Sequence, residues 1–249
     1  MGENLQDNCA EQCIEKIVTA FAGIGHELTQ KQAEQFYQYY QMLVETNKVM
    51  NLTAITEFDE VVQKHFVDSV LKSETFINEK TNTLIDVGTG AGFPGVPLKI
   101  VYPKLQVTLL DSLNKRLNFL NQVIEALELE SIQTVHYRAE DGARQANLRE
   151  QFDCVVSRAV ANMSTLCEYC LPYAKVGGCF VAYKSGNAEE EVDKAKKAVH
   201  LLGGAKENAI YFELPDSDIG RSLVIVRKKE PTSKKYPRKA GLPSKEPLQ

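Results

Sequence analysis

The run Leu84-Ile85-Asp86-Val87-Gly88-Thr89-Gly90-Ala91-Gly92-Phe93-Pro94-Gly95-Val96-Pro97-Leu98 constrains this chain more than any other stretch. Its first four residues read as a short buried strand. Three alternate glycines then let the backbone turn sharply and approach a ligand where a Cβ would obstruct. Pro94 and Pro97 suit the first turn of a helix and not its interior, so a helix is expected soon after. Strand, glycine turn and helix in that order make the first βα unit of a nucleotide-binding α/β sheet.

The glycine spacing narrows the ligand. A dinucleotide site wants G-x-G-x-x-G, with a third glycine where helix meets strand, and this chain has Phe93 there. Asp86 stands two places before the first glycine. A carboxylate there repels a pyrophosphate and suits a ligand with positive charge, and S-adenosylmethionine, with its sulfonium and ammonium groups, is one. A glycine loop alone is weak evidence, because a tight turn without ligand uses the same residues.

A chain of 249 residues suffices for one main domain with an added segment. No apolar run is long enough to span a bilayer, and Met1-Gly2-Glu3-Asn4 lacks the basic-then-apolar order of a signal peptide, so a cytoplasmic protein is expected. The cysteines fit that compartment: Cys154 and Cys179 lie in apolar runs, and Cys167-Glu168-Tyr169-Cys170 lacks the second pair a zinc site needs. No metal is expected. Charge is unevenly spread. From Arg227 onward eight Lys/Arg against two Glu give +6, which leaves −10 on the remainder of a chain of net charge −4. An acidic body with a basic tail suggests a polyanionic partner met at one place.

The first eighty residues read as helices. Thr29 and Gln32 form a capping box, and Ala33, Phe36, Tyr37, Tyr40, Leu43 and Val44 recur at helical spacing after it. A shorter helix from Cys9 to about Gly23 is expected before it. Thr56 with Asp59 is read as the cap of a third helix, on which His65 and Asp68 share a face. From Thr83 onward strands are expected near 83–87, 106–110, 133–136, 152–157, 178–183, 210–214 and 222–227. Helices are expected at about 96–101, 113–127, 142–148, 163–171 and 189–202. Such alternation calls for a parallel sheet covered on both faces. Pro215 to Gly220 is too short for a crossover helix, so the last two strands should pair as an antiparallel hairpin. The fold expected is therefore α/β: the class I S-adenosylmethionine-dependent methyltransferase (Rossmann-like) fold, a mostly parallel seven-stranded sheet ending in that hairpin. Residues 1–80 make an N-terminal helical extension, 81–229 the cofactor-binding core and 230–249 a basic tail.

Ligands of open parallel sheets lie beyond the carboxyl ends of the strands. Strand one delivers Asp86, Gly88 and Gly90 there. Strand two delivers Asp111, with Ser112 and Leu113 next to it. A carboxylate at that place accepts both ribose hydroxyls, or caps the following helix. Strand three delivers Ala139 and Glu140, whose backbone N–H and carboxylate match the acceptor and the amino group of adenine. Strand four delivers Ser157-Arg158-Ala159, where a transferred methyl would point. Arg158 is the candidate for positioning donor and base, the alternative being a structural bridge to Asp86 or Glu140.

The end of strand four lacks the Asn or Asp followed by Pro-Pro and an aromatic residue that holds an exocyclic amine. It also lacks an accessible cysteine for attack through a pyrimidine carbon. Guanine N7 remains: it carries no proton and needs alignment without a general base. Lys234, Lys235, Tyr236, Arg238 and Lys239 interleave basic residues with an aromatic ring among prolines, a pattern suited to an extended segment following phosphates, although many such runs are merely solvated.

Several motifs together resemble the RsmG (GidB) family of bacterial small-subunit ribosomal RNA methyltransferases. They are Asn51 to Ile55, His65 with Asp68-Ser69, Asp86 to Leu98, Asp111-Ser112-Leu113 with Lys115-Arg116, Ser157-Arg158-Ala159 and Tyr236 to Lys239. The resemblance implies methylation of N7 of a guanosine in 16S rRNA, with S-adenosylmethionine as cofactor and Gly88, Phe93, Ala139, Glu140 and Arg158 in contact with it. The partner implied is 16S rRNA in the small ribosomal subunit or its assembly intermediate, met by a monomer, with Lys184 among the RNA-binding residues. Many relatives carry Lys-Gly after strand five, where this chain has Lys184-Ser185-Gly186. A small-molecule methyltransferase and a non-catalytic RNA-binding protein stay open as alternatives, while a dehydrogenase is disfavoured by Phe93 and Asp86.

Overall fold

The computed structural model describes residues 3–249. Two long helices come first, α1 (Glu3–Ala22) and α2 (Gln30–Met50), the second opened by the expected capping box of Thr29 and Gln32. Asn51 ends α2 in the left-handed conformation. The Asn47 side chain then holds the next loop, accepting from the N–H groups of Leu52 and Thr53 and donating to the Thr53 carbonyl. The third helical segment is irregular: α3 (Phe58–Val61) widens into a π-helical turn over Val62–Val67 and closes as α4 (Asp68–Val70). Its start is not capped by Thr56 and Asp59 as expected; Glu57 occupies the cap without a side-chain bond, and Asp59 pairs instead with Lys16 at 2.8 Å.

The alternating part follows: β1 (Thr83–Val87), α5 (Gly95–Val101), β2 (Gln106–Asp111), α6 (Asn114–Ala126), β3 (Ile132–His136), α7 (Ala139–Gly142), β4 (Phe152–Arg158) and α8 (Met163–Cys170). The chain goes on through β5 (Ala174–Ser185), α9 (Glu189–Lys194), α10 (Lys196–Leu201), β6 (Gly204–Glu213), β7 (Gly220–Lys228) and α11 (Leu242–Lys245). Among the described residues these strands form one seven-stranded sheet in the order β3-β2-β1-β4-β5-β7-β6. β7 is antiparallel to both β5 and β6, so the hairpin stands as expected. Its first strand is longer than the 210–214 read from sequence, because a register shift between Lys206 and Asn208 interrupts the alternation that marks a strand. The helix expected at 142–148 is a single turn at Ala139–Gly142, and the one expected at 189–202 breaks at Ala195 into α9 and α10.

Each face of the sheet carries its own apolar layer. Leu84, Leu109, Val156 and Val181 face α5, α6 and the N-terminal helices, while Ile85, Val155, Phe180 and Val224 face α8, α9 and α10. The N-terminal helices thus share a core with the sheet. Gln32 donates to the Ile100 carbonyl at 2.7 Å and Gln35 to that of Leu127 at 2.7 Å, so α2 satisfies carbonyls that the ends of α5 and α6 leave unpaired.

The tail does not run extended into solvent as its composition suggested. Tyr236 is only 7% exposed and sits in the apolar layer on the α8 face. Arg238 grips the buried Glu168 carboxylate through Nε and Nη2, at 3.0 and 2.7 Å. Arg149 donates to the carbonyls of Thr232 and Tyr236, and Thr165 to that of Pro243. Tyr236 and Arg238, expected among the RNA-binding residues, thus also hold the tail to the fold; the exposed basic residues of the tail are Lys234, Lys235, Lys239 and Lys245.

Candidate active site

The strand order reverses between β1 and β4, the place where an open parallel sheet leaves a crevice at its carboxyl edge. A cavity of about 680 Å³ lies there. Its walls bring together Gly88, Gly90, Asp111, Ser112, Ala139, Glu140 and Arg158, which strand ends one to four were expected to deliver, with Phe93, which the family resemblance implied. Leu113 is not among them. It is exposed, and its N–H is occupied by Asp111 Oδ1 at 2.9 Å.

The glycine loop is shaped by its neighbours. Gly88 has φ +75°, and a Cβ there would come within 2.7 Å of the Val160 side chain. Gly92 has φ +105°, with the Tyr39 hydroxyl and Leu120 where a Cβ would stand. That hydroxyl donates to the Ala91 carbonyl, so α2 holds the loop from outside the sheet. Nothing in the spacing around Tyr39 marked it for this part, because the contact joins residues 52 apart in sequence.

Asp86 is not a wall of the cavity. It shares a sheet face with Leu84 and lies wholly buried beneath the start of α5, where Oδ2 accepts the Thr89 hydroxyl at 2.7 Å and the Gly95 N–H at 2.9 Å. Direct contact with a cofactor, as expected for it, is corrected to support of the loop from behind. Its Oδ1 is buried without a hydrogen-bond partner among the described residues, and burial pushes the carboxyl pKa up to about 6 against the opposing bonds from Thr89 and Gly95.

Asp111 supports the start of α6 without being its N-cap, a place held by Leu113. Oδ1 takes the Leu113 N–H at the head of α6, and Oδ2 takes the Gly90 N–H at 3.0 Å and Arg116 at 3.3 Å. Three of the roughly four acceptor positions of a carboxylate are filled, so one is left for a ligand. At the other end of the cavity, Glu140 Oε1 accepts the Gly241 N–H at 2.8 Å, and Oε2 makes no hydrogen bond among the described residues. Gly241 and Ser244 of the tail close this end beside Tyr169, and no pattern in the sequence had announced them.

Arg158 pairs with neither Asp86 nor Glu140. Its Nη1 meets Asp68 Oδ2 at 3.1 Å, and the guanidinium lies 5.0 Å from the centre of the Phe93 ring. His65 stacks on the same ring at 4.6 Å. His65 and Asp68 do not bond to each other. Nε2 of His65 pairs with the Thr53 hydroxyl at 2.8 Å, and Nδ1 lies between the Lys64 carbonyl at 3.1 Å and Arg158 Nη2 at 3.4 Å. Burial, reinforced by the Arg158 charge, lowers the His65 pKa to about 4. Ala159, just past Arg158, holds φ +58°, a conformation that costs a non-glycine residue about 1 kcal/mol or more and that collects at functional sites.

A second cavity of about 350 Å³ adjoins the first and shares His65, Arg158 and Ala159 with it. Lys64, Lys184 and Arg221 bring positive charge to it. Lys184 is tied to Glu191 at 2.7 Å and to the Ala161 carbonyl, and Gly186, left-handed at φ +63°, follows the last strand residue Ser185. Among the described residues no group of His, Cys, Asp or Glu is arranged to hold a metal.

The family model described as GidB, rRNA small subunit methyltransferase G, matches residues 32–219. The chain belongs to the GidB family. A relative from Lachnoclostridium phytofermentans named "Ribosomal RNA small subunit methyltransferase G" is 52% identical over 93% of this chain and 96% of its own length. One of that name from Acetivibrio thermocellus is 51% identical over 93% and 95%. Among solved structures, M. jannaschii TYW2 in complex with AdoMet superposes with a TM-score of 0.50 at 14% identity, covering 63% of this chain and 74% of that one, a likeness of fold. As a GidB-family methyltransferase, the chain uses S-adenosylmethionine. The large cavity fits that cofactor: glycines stand where a Cβ would intrude, and acidic acceptors stand at both ends.

Proposed function

We propose that this chain transfers a methyl group from S-adenosylmethionine to N7 of a guanosine in 16S rRNA, acting as a cytoplasmic monomer on the small ribosomal subunit or its assembly intermediate. The observation that carries the reading is the union of two cavities at Arg158, one walled by the glycine loop with Asp111 and Glu140 and one rimmed by the basic side chains Lys64, Lys184 and Arg221. Bound in the first, S-adenosylmethionine supplies an electrophilic methyl on sulfur. The residues of the chain hold and exclude. Gly88 and Gly90 give the backbone its approach, Asp111 offers an acceptor to the ribose, and Ala139 and Glu140 face the adenine edge. Phe93 and His65 form an apolar wall that keeps water from the transfer path. Arg158 stands where the two cavities meet and fixes the base opposite the methyl.

N7 offers a lone pair and loses no proton on methylation, so in-line alignment is the main requirement. The site agrees with that. His65 is neutral and committed to Thr53 and Lys64, and Asp68 is committed to arginines, so neither is free as a general base. Lys64, Lys184 and Arg221, with the tail lysines Lys234, Lys235 and Lys239, offer charge to the RNA backbone.

The test is to incubate the purified protein with methyl-labelled cofactor and small-subunit rRNA from cells lacking the gene, then digest to nucleosides. Label in 7-methylguanosine is expected. Label in another nucleoside, or only in free metabolites, would contradict the reading.

A further inference from the structure

The tail from Glu230 onward lies beyond the segment matched by the family model, which ends at residue 219, yet it supplies two residues of the large cavity's wall. Its course is fixed at several points. The Arg238 side chain and N–H both bond to the Glu168 carboxylate, Arg144 and Arg149 bind the carbonyls of Pro237 and Tyr236, and Thr165 binds that of Pro243. Between these fixed points Gly241 turns in the left-handed conformation, φ +83°, and directs its N–H at Glu140 Oε1, 2.8 Å away. Glu140 is itself buried, so this bond is made in a poorly solvated place where a charge-assisted hydrogen bond orients strongly.

We propose that Gly241 is a positioning residue for cofactor recognition: its N–H holds the Glu140 carboxylate so that Oε2 faces the amino group of the adenine. The inference rests on reading the large cavity as the cofactor site. The tail, far from following the sheet as an appendage, is then the wall against which the nucleobase is selected. A carboxylate free to rotate would accept the same bond less often, whereas one oxygen pinned by a backbone donor leaves the other aimed. Gly241 suits the position because its φ is open to glycine at little cost, and a Cβ placed there meets no atom within 4 Å. A β-branched replacement is therefore strained by backbone conformation alone, with no clash, and must draw its N–H out of place.

The experiment is calorimetric titration of the full-length protein with S-adenosylhomocysteine and with S-inosylhomocysteine, which carries an oxygen in place of the adenine amino group. Wild type is expected to favour the adenosyl compound by about tenfold or more, and Glu140→Ala to lose that preference. Gly241→Val is expected to lower the preference by about three- to tenfold, through weaker binding of the adenosyl compound, with the inosyl compound little changed. A variant that merely contained less folded protein would bind fewer equivalents at an unchanged ratio. Thermal melting of Gly241→Val, and the same titrations on Arg238→Ala paired with Glu168→Gln, guard against a misfolded sample. If Glu140→Ala loses the preference while Gly241→Val and the paired variant keep it, the tail does not position Glu140 and the inference is overturned. If Glu140→Ala keeps it as well, the adenine does not lie at Glu140, and the reading of the cavity fails together with the inference.

Discussion

Arg158 and Asp68 meet at 3.1 Å, joining the carboxyl end of the central strand β4 to the helical segment laid across it. The other oxygen of the same carboxylate takes Arg221 Nε at 2.9 Å from β7. One buried carboxylate thus serves two guanidiniums. Burial raises the Asp68 pKa while the two arginines oppose the shift. The surplus positive charge faces the second cavity, where it suits a phosphate of the incoming RNA.

Removing Asp68 leaves both arginines unpaired. Asp68→Ala is expected to cost about 3 kcal/mol or more in urea unfolding, the usual result of breaking a buried pair from one side. Turnover on rRNA should fall by about a hundredfold through misplacement of Arg158. A variant with unchanged turnover would show that the pair does not position the transfer.

Asp86 and His65 give opposite pH dependences. The folded-state pKa of His65, about 4 against 6.5 for the ordinary group, makes the unfolded chain bind more protons between those values. Stability is therefore lost as pH falls through that window, by up to about 3 kcal/mol. Asp86, raised from 3.8 to about 6, acts in reverse: the folded chain holds the proton longer, and stability is lost as pH rises between those values. The stability of Asp86→Asn relative to wild type should thus rise by about 3 kcal/mol from about pH 4 to about pH 8, measured by urea midpoints. A difference flat across that range would mean that Asp86 does not titrate there.

Gly88→Ala places a Cβ 2.7 Å from Val160 and forces a strained φ. Cofactor affinity should fall about tenfold or more, read by titration with S-adenosylhomocysteine, because the loop must shift on the side that faces the ligand. Equal affinity would place the ligand away from Gly88.

The exposed tail lysines and the buried tail anchors should behave differently. Lys234, Lys235 and Lys239 changed together to Ala should weaken rRNA binding and make its logarithmic salt dependence shallower by about 2 to 3, with stability preserved. Arg238→Ala should cost stability by stranding the buried Glu168 carboxylate. An unchanged salt slope in the triple variant would remove these lysines from the interface.

The residues at the ends of β1 to β4 were legible because strand ends follow from local pattern, and the sheet rule states where they converge. The glycine loop was legible for the same reason. The partner of Arg158 was not. Asp68 lies 90 residues away on a π-widened segment, and no local periodicity reports which acidic group such a segment brings to a sheet edge. Asp86 was misjudged by one step of the pleat: its place at the strand end was right, and its side chain faces α5 instead of the cavity. The tail misled because composition resembles a solvated strap, whereas Tyr236 and the Glu168–Arg238 pair fold it onto α8.

The most direct test of the account is a crystal structure of the protein grown with S-adenosylhomocysteine. The ligand is expected in the large cavity, with adenine between Ala139 and Glu140, ribose at Asp111 and sulfur facing Arg158 and the second cavity. A ligand bound elsewhere, or in this cavity with its sulfur turned away from Arg158, would contradict it.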